Sequence, residues 1–483
     1  MRKPLTVLLI LTLLFTAIPL VVSANPIISS EAEEHILNEL RRANIPNAAV
    51  AVIQGGETSY ILKDSTHETL FQIGSVAKSF TGFGVLLLED MGLLSVNDPV
   101  NQHLPWFEVR YDNLPVPHED ITIYNLLQHT SGFTSDERRF PSTVDEITKD
   151  EMITQLMGIE LAFYPSMGHE YGNLNYVILG FIIEAVSGQS YDEFMTQYVL
   201  HPLGLYNTFT NTQLAHDTGQ VIAGHRFGFL RARPHDVPWA SLTMPAGGMY
   251  SSISDMARWA GIHLGVVEVS EQFARVAQRS HENNHTSENP FVNSTFFGDA
   301  FFDAAGWQVF EDGTITHGGS VFGYFADVMM LPERNIAVVV LSNLRHLNVP
   351  QWSPLILEAV YDGNFNRAGM DPFAMIDIAF IVLTAMGVFF IGLFVRLVLK
   401  LRKQLHISEK TKSKIKIKWL IGSVLSAIGL LAFYIVLPMV VETSYRIALL
   451  VFPASMTAAT VAVWIALAYS LFSMWTKIFV SSK

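Results

Sequence analysis

The sequence predicts an α/β protein: one antiparallel sheet flanked by helices and interrupted by a helical insert, followed by three transmembrane helices. Three observations predict it. Short strand-like runs stand near the start of the chain and again after Gly306, with helical periodicity filling the interval. Strands at both ends with helices between bring the N- and C-terminal segments into one sheet. Three apolar stretches then close the chain, Met375–Leu397, Leu420–Val440 and Leu449–Ser470, each near the ~20 residues needed to cross a bilayer.

Taken in order, residues 1–24 read as a signal peptide. Arg2 and Lys3 precede the apolar run Leu5–Val22, and Val22-Ser23-Ala24 offers small residues for cleavage; an uncleaved anchor is the alternative. Residues 25–366 form the predicted folded domain. Glu31–Ala43 has an amphipathic helical pattern, and Ala48–Gln54 and Ser59–Leu62 pair as strands around Gly55-Gly56. Ser75–Met91 is a long helix stopped by Gly92, and Ile123–His129, Tyr176–Val186 and Ser254–Leu264 are further helices, the last with Ser254 as N-cap. Gln272–Phe297 is polar and reads as a surface loop. Strands follow at Gly306–Phe310, Thr314–His317, Gly323–Leu331 and Ile336–Ser342. Pro354–Tyr361 closes the domain as a helix with Ser353 as N-cap and proline at the first helical position. The sequence shows no internal repeat.

Charge sets the expected topology. The loop 398–419 and its flank carry nine Lys and Arg residues between Arg396 and Lys418 against Glu409 alone, so the positive-inside rule makes that loop cytoplasmic. Asp371, Asp377 and Glu442 then lie outside, and residues 25–370 are extracytoplasmic. That outer region holds 17 basic and 40 acidic residues, a net charge of −23. Such a surface disfavours nucleic acid and anionic polymers and tolerates neutral or cationic substrates. With no cysteine in the chain, disulfides, thiolate nucleophiles and cysteine metal sites are excluded.

The chemistry is carried by Ser75-Val76-Ala77-Lys78. Three residues apart on a helix, a serine and a lysine share one face, and a desolvated amine can take the hydroxyl proton. The helix N-terminus adds N–H groups that could hold an oxyanion. Read blandly, the same residues are a helix start with a solvated lysine. Ser413-Lys414-Ile415-Lys416 repeats the pattern, but in the basic loop, where no lysine is desolvated. Tyr171-Gly172-Asn173 precedes an apolar helix. A phenol beside a lysine can act as general base and the asparagine amide can orient a carbonyl or the lysine, although such a tyrosine also serves as a packing residue. The similar Tyr111-Asp112-Asn113 lies before Pro115 and Pro117 and suits a β-turn. His317-Gly318-Gly319-Ser320 sits on an expected strand, where its glycines mark either a bulge or the close approach of a backbone or ligand. Ser320 could supply a second oxyanion N–H from that strand edge. His281-Glu282-Asn283-Asn284-His285 matches a zinc-protease pattern, yet it lacks the apolar residues of a buried helix and has no evident third ligand.

In order, Ser75-x-x-Lys78, Tyr171-x-Asn173 and His317-x-Gly319 resemble the three active-site motifs of the class C β-lactamase-like serine hydrolases. Further phrases agree: Leu126–Gly132, His201–Leu205, Pro245–Ser251 and Val338–Asn343. The resemblance covers roughly residues 30–362 and implies an antiparallel sheet flanked by helices plus an all-helical lobe, as in serine β-lactamases and DD-peptidases. It implies that Ser75 is acylated, Lys78 accepts its proton, and Tyr171 relays protons to the leaving group and activates water. Asn173 would orient the substrate amide, and the N–H groups of Ser75 and Ser320 would form the oxyanion hole. No metal or cofactor is implied. His317 stands where class C β-lactamases carry lysine, which favours peptidase or esterase activity over penicillin hydrolysis. Gly172 and Ser166 also depart from the family pattern without altering a catalytic side chain. The signal, domain and tail together resemble membrane-bound prodrug-activating peptidases. That likeness implies a small peptide or acylated small-molecule substrate, a cell-membrane location with the catalytic domain outside, and room for a transporter partner.

Overall fold

The computed structural model describes residues 27–134, 148–235, 241–282, 292–293, 300–344, 349–367 and 374–382, together with positions 384, 385, 388, 455, 456 and 459. The expected signal peptide (1–24), the basic loop with its Ser413 motif, and the 420–440 stretch lie outside the described residues, as does nearly all of 449–470. Among the described residues, no helix is long and apolar enough to cross a membrane.

An eight-stranded sheet organises the domain. Its strands in chain order are β1 (Ala48–Gln54), β2 (Glu57–Lys63), β3 (Val292–Asn293), β4 (Ala300–Ala304), β5 (Trp307–Phe310), β6 (Ile315–Val321), β7 (Tyr324–Leu331) and β8 (Ile336–Ser342). They lie in the order β3-β4-β5-β6-β7-β8-β1-β2 and every neighbouring pair is antiparallel. The junction between chain ends is the β1–β8 pair, with Val50 opposite Val340. Both strands are buried nearly throughout, because helices cover both faces and leave no polar side.

On one face lie α1 (Ser30–Arg42) and α6 (Val349–Leu357), packing Ile36, Leu40, Trp352 and Ile356 against Val50, Val52, Val338 and Val340. The other face carries the larger core. Here α2 (Ala77–Asp90) is buried over its first twelve residues and packs against α3 (Asn173–Ser187) and α4 (Ile253–His263). Phe80 stacks on Trp259 at 4.1 Å, and the Trp259 indole N–H donates to Ser79 Oγ. The residues between β2 and β3 form a lobe of helices with small satellite sheets at its edges.

Several expectations shift. Within Gln272–Phe297, expected to be an irregular loop, Glu271–Arg279 (α5) is helical and residues 292–293 form an edge strand. Its few apolar residues fall on one face, with Val276 and Ala277 buried, while Arg275 and Arg279 reach Asp90 and Glu89 of α2. The N-cap of α4 is Ser252, not Ser254, whose hydroxyl instead bonds the His67 carbonyl. The closing helix starts at Val349, so Pro354 lies inside it, and the Ser353 hydroxyl bonds buried Asp327 rather than capping. Asp112 and Asn113, with φ of 51° and 64°, make the β-turn expected of the Tyr111 decoy.

Candidate active site

Ser75 sits on a single 3-10 turn, Gly74–Val76, that leads directly into α2. Lys78, in the first turn of that helix, is fully buried. Its Nζ lies 3.3 Å from Ser75 Oγ, 2.7 Å from Asn173 Oδ1 and 2.6 Å from the Ala246 carbonyl. Asparagine oxygen and carbonyl oxygen can only accept, so they take two amine N–H groups. The amine thus stands within hydrogen-bond reach of the Ser75 hydroxyl.

Each partner is delivered by a local feature. Asn173 opens α3, which ends at Gly188 in the left-handed conformation. Its Oδ1 faces Lys78, and its amide NH2 can only donate. Ala246 belongs to the tight turn Met244–Gly248, pinned to α2 by a 2.7 Å bond from Thr81 Oγ1 to the Pro245 carbonyl. Tyr171 lies just before α3, and Lys78 Nζ stands 4.8 Å from its ring centre.

His317 enters from β6. Its Nδ1 bonds the Gly306 carbonyl, so the proton is on Nδ1 and Nε2 is a bare acceptor 3.4 Å from the Tyr171 hydroxyl. Burial, aided by the nearby Lys78 charge, pushes the imidazole down to about 4, so it is neutral at neutral pH. Farther along β6, backbone meets backbone. A Cβ on Gly319 would fall 2.0 Å from the Ile73 carbonyl oxygen, and one on Gly74 would fall 2.9 Å from Ser320 N. These glycines bring the Ser320 amide beside the serine turn. The strand continues through Val321, so no bulge interrupts it at the glycines.

Thus Ser75, Lys78, Tyr171, Asn173, His317, Gly319 and Ser320 converge. The sequence reading overlooked three supports. The first is the Ala246 carbonyl, which no side-chain motif reveals. The second is buried His129, whose Nδ1 accepts from Gly172 N–H and Asn175 Nδ2 while its ring lies 4.5 Å from that of Tyr171. Burial lowers its pKa to about 3, keeping it neutral. The third is the 2.6 Å hydrogen bond between His169 Nε2 and Asp303, which fastens the segment carrying Tyr171 to β4. His281 is also accounted for: its ring packs against His263 and Trp307 in the interior. His285 lies outside the described residues.

The fold and this site define a β-lactamase-like class of protein. Residues 32–361 match the Beta-lactamase family, and the chain belongs to it. Protein flp of Staphylococcus aureus strain N315 is 29% identical over 338 residues, covering 66% of this chain and 64% of that protein. The unguisins hydrolase ungD' of Aspergillus campestris is 26% identical over 335 residues, covering 64% and 60%. The chain therefore spans less than two thirds of the length of these relatives. A class C beta-lactamase superposes with a TM-score of 0.57 at 17% identity, covering 68% of this chain and 96% of that one, a likeness of fold.

Proposed function

We propose that the protein is a membrane-anchored, extracytoplasmic hydrolase that cleaves an amide, of peptide or acyl-D-amino-acid type, through an acyl-Ser75 intermediate. The observation that carries this reading is the buried Lys78 amine, 3.3 Å from Ser75 Oγ and bonded to Asn173 Oδ1 and the Ala246 carbonyl.

In this mechanism Ser75 Oγ attacks the substrate carbonyl as its proton passes to Lys78. The N–H groups of Ser75 and Ser320 receive the developing oxyanion. Asn173 orients the substrate amide. Tyr171 gives its proton to the departing amine as the C–N bond breaks and is reprotonated from Lys78, leaving acyl-Ser75 and a neutral lysine. Water then attacks the acyl carbonyl, its proton passing to Tyr171 as that phenol hands its own to neutral Lys78, and Lys78 returns a proton to Ser75 Oγ as the acid product leaves. Neutral His317 accepts from the Tyr171 hydroxyl and fixes its orientation at rest.

Anchoring is supported by the basic loop between apolar stretches and by the start of the first stretch. Residues 374–382 are helical, with Met375, Ile378 and Val382 exposed along one face. The neutral histidine in place of a lysine supports a substrate without the carboxylate that a fixed cation would recognise. The detergent-solubilised protein, treated with a fluorophosphonate, should gain one adduct by intact mass, and Ser75→Ala should gain none. Equal labelling of both would overturn the acyl-serine reading. A panel of acyl-D-amino-acid amides, D-Ala-D-Ala peptides, short esters and nitrocefin then ranks the substrates. Repeated product release separates an enzyme from a sensor that acylates and stops.

A further inference from the structure

The hairpin His225–Pro234 has no part in the site just described, and its construction is unusual. Its strands, His225–Gly228 and Arg231–Pro234, pair with Gly228 opposite Arg231, leaving Phe229 and Leu230 as a two-residue turn. Both turn residues adopt left-handed backbone, with φ of 55° and 59°. That turn ordinarily selects Asn or Gly, because a larger side chain there is strained. Both side chains are also exposed, Phe229 by 44% and Leu230 by 51%. The hairpin therefore holds two large apolar groups at its tip against both local strain and water.

What holds the tip is Asp377, which is fully buried. Its carboxylate accepts from Phe229 N–H at 3.2 Å and Leu230 N–H at 2.6 Å, and from the Ser455 hydroxyl. Asp377 lies two residues into the apolar stretch that begins at Met375, and Ser455 belongs to the 449–470 stretch. One carboxylate thus ties the tip to the start of one apolar segment and to a residue of another. On the same helical segment Met375, Ile378 and Val382 face outward, while Asp377 and Phe380 are buried. Arginines flank the tip: Arg231 and Arg233 are exposed, Arg226 lies on the other strand, and no acidic residue occurs from 225 to 234. In a domain of net charge −23 this acid-free, arginine-bearing hairpin is suited to an anionic surface.

We propose that this hairpin is a membrane-interface anchor: Phe229 and Leu230 enter the headgroup–acyl boundary of the outer leaflet, and Arg231 and Arg233 meet lipid phosphates. The inference rests on the reading that residues 375–397 enter a bilayer. Asp377 sets the depth, because the tip is bonded to the chain where the apolar segment begins. The base of the hairpin packs on the β6–β7 turn, where a Cβ on Gly224 would fall 3.0 Å from Gly323 Cα, so the anchor also fixes how the strand carrying Ser320 stands above the lipid.

The cysteine-free chain permits single-site spin labelling of the full protein in phosphatidylglycerol–phosphatidylcholine nanodiscs. Labels are placed at Leu230→Cys, at Val388→Cys in the first apolar stretch, and at Leu114→Cys, a 68% exposed control on another hairpin. Fluorophosphonate labelling verifies that each variant is folded. The Leu230 and Val388 labels should relax with oxygen and resist a water-soluble nickel chelate, while the Leu114 label does the reverse. A nickel-accessible Leu230 beside an oxygen-accessible Val388 overturns the anchor while anchoring by the spans stands. Nickel access at both overturns the membrane reading itself. Adding Asp377→Ala should raise nickel access at Leu230 at least threefold, and an unchanged value would refute Asp377 as the depth lock.

Discussion

The Tyr171 hydroxyl lies 3.4 Å from His317 Nε2, and the bond runs from phenol to imidazole, because Nδ1 of the same ring is committed to the Gly306 carbonyl. The histidine is therefore an acceptor in the resting enzyme. A lysine in its place could only donate.

Protonation of His317 should abolish that acceptor. Its pKa lies at about 4, so kcat/KM should be insensitive to this group from pH 8 down to about 5 and fall through 4. Replacing it with glutamine removes the titrating group. In His317→Gln the plateau should drop by about 10²-fold and the step near pH 4 should disappear. Profiles with a chromogenic ester check both, and a His317-dependent step at 6.5 would contradict the buried neutral imidazole.

Asn173→Asp is nearly isosteric but places a carboxylate 2.7 Å from Lys78 Nζ, judged from the oxygen it replaces. An opposite charge at that range raises an amine pKa by about 1–3 units. The ammonium would then persist to higher pH, and acylation would need a more alkaline medium. The rising limb of the acylation rate should move upward by about 1–3 pH units, whereas Asn173→Ala should lower the rate without that upward shift. Stopped-flow acylation with the same ester separates the two.

Much of this site was legible in the sequence because its chemistry resides in side chains at fixed local spacings. Ser75 and Lys78 share a turn, and Tyr171 and Asn173 flank a helix start. Their meeting was not legible from spacing, since it depends on long-range packing of α2 against α3 and the 244–248 turn. The glycines of β6 signalled close approach, but not that the backbone approached would be Ile73-Gly74. Ala246 was invisible because its contribution is a carbonyl. The α5 helix was missed because a polar stretch with one narrow apolar stripe looks like a loop until α2 is there to cover the stripe.

Gly306 is a sharper test of packing than any apolar core residue. Its φ is +88°, and a Cβ there would lie 2.3 Å from the Lys78 carbonyl carbon and 2.5 Å from Ser79 N, both in the α2 backbone. Neither can yield without moving the start of the catalytic helix. Gly306→Ala should cost about 3 kcal/mol or more and abolish probe labelling of Ser75. Gly313 has a similar φ of +81° but open space around it, so Gly313→Ala should cost only about 1–2 kcal/mol, from backbone strain alone. Thermal melts of both variants with fluorophosphonate labelling make the comparison.

Asp327 lies opposite Gly318 in the β6–β7 register, directly behind the strand that carries Ser320. It is buried, and burial raises its carboxyl to about 7 despite the hydrogen bond from Ser353. The sign follows from linkage. With a folded pKa of about 7 and an unfolded value of 3.8, the folded state binds the extra proton between these limits. Asp327 therefore costs nothing extra below about pH 4, costs progressively more as pH rises to 7, and levels off above it. At about 1.4 kcal/mol per pKa unit, the full cost is on the order of a few kcal/mol. Asp327→Asn keeps an oxygen to accept from Ser353 and cannot ionise. The melting temperature of the variant minus that of the wild type should thus climb from pH 4 to 7 and plateau at pH 8. Buried His129, His281 and His317, with pKa values lowered to about 3, 3 and 4, destabilise the fold as pH falls from 6.5, but they do so in both proteins and cancel in the difference. A difference that stays flat across that window would mean that Asp327 is ionised in the folded protein throughout, held by a partner stronger than the Ser353 hydroxyl.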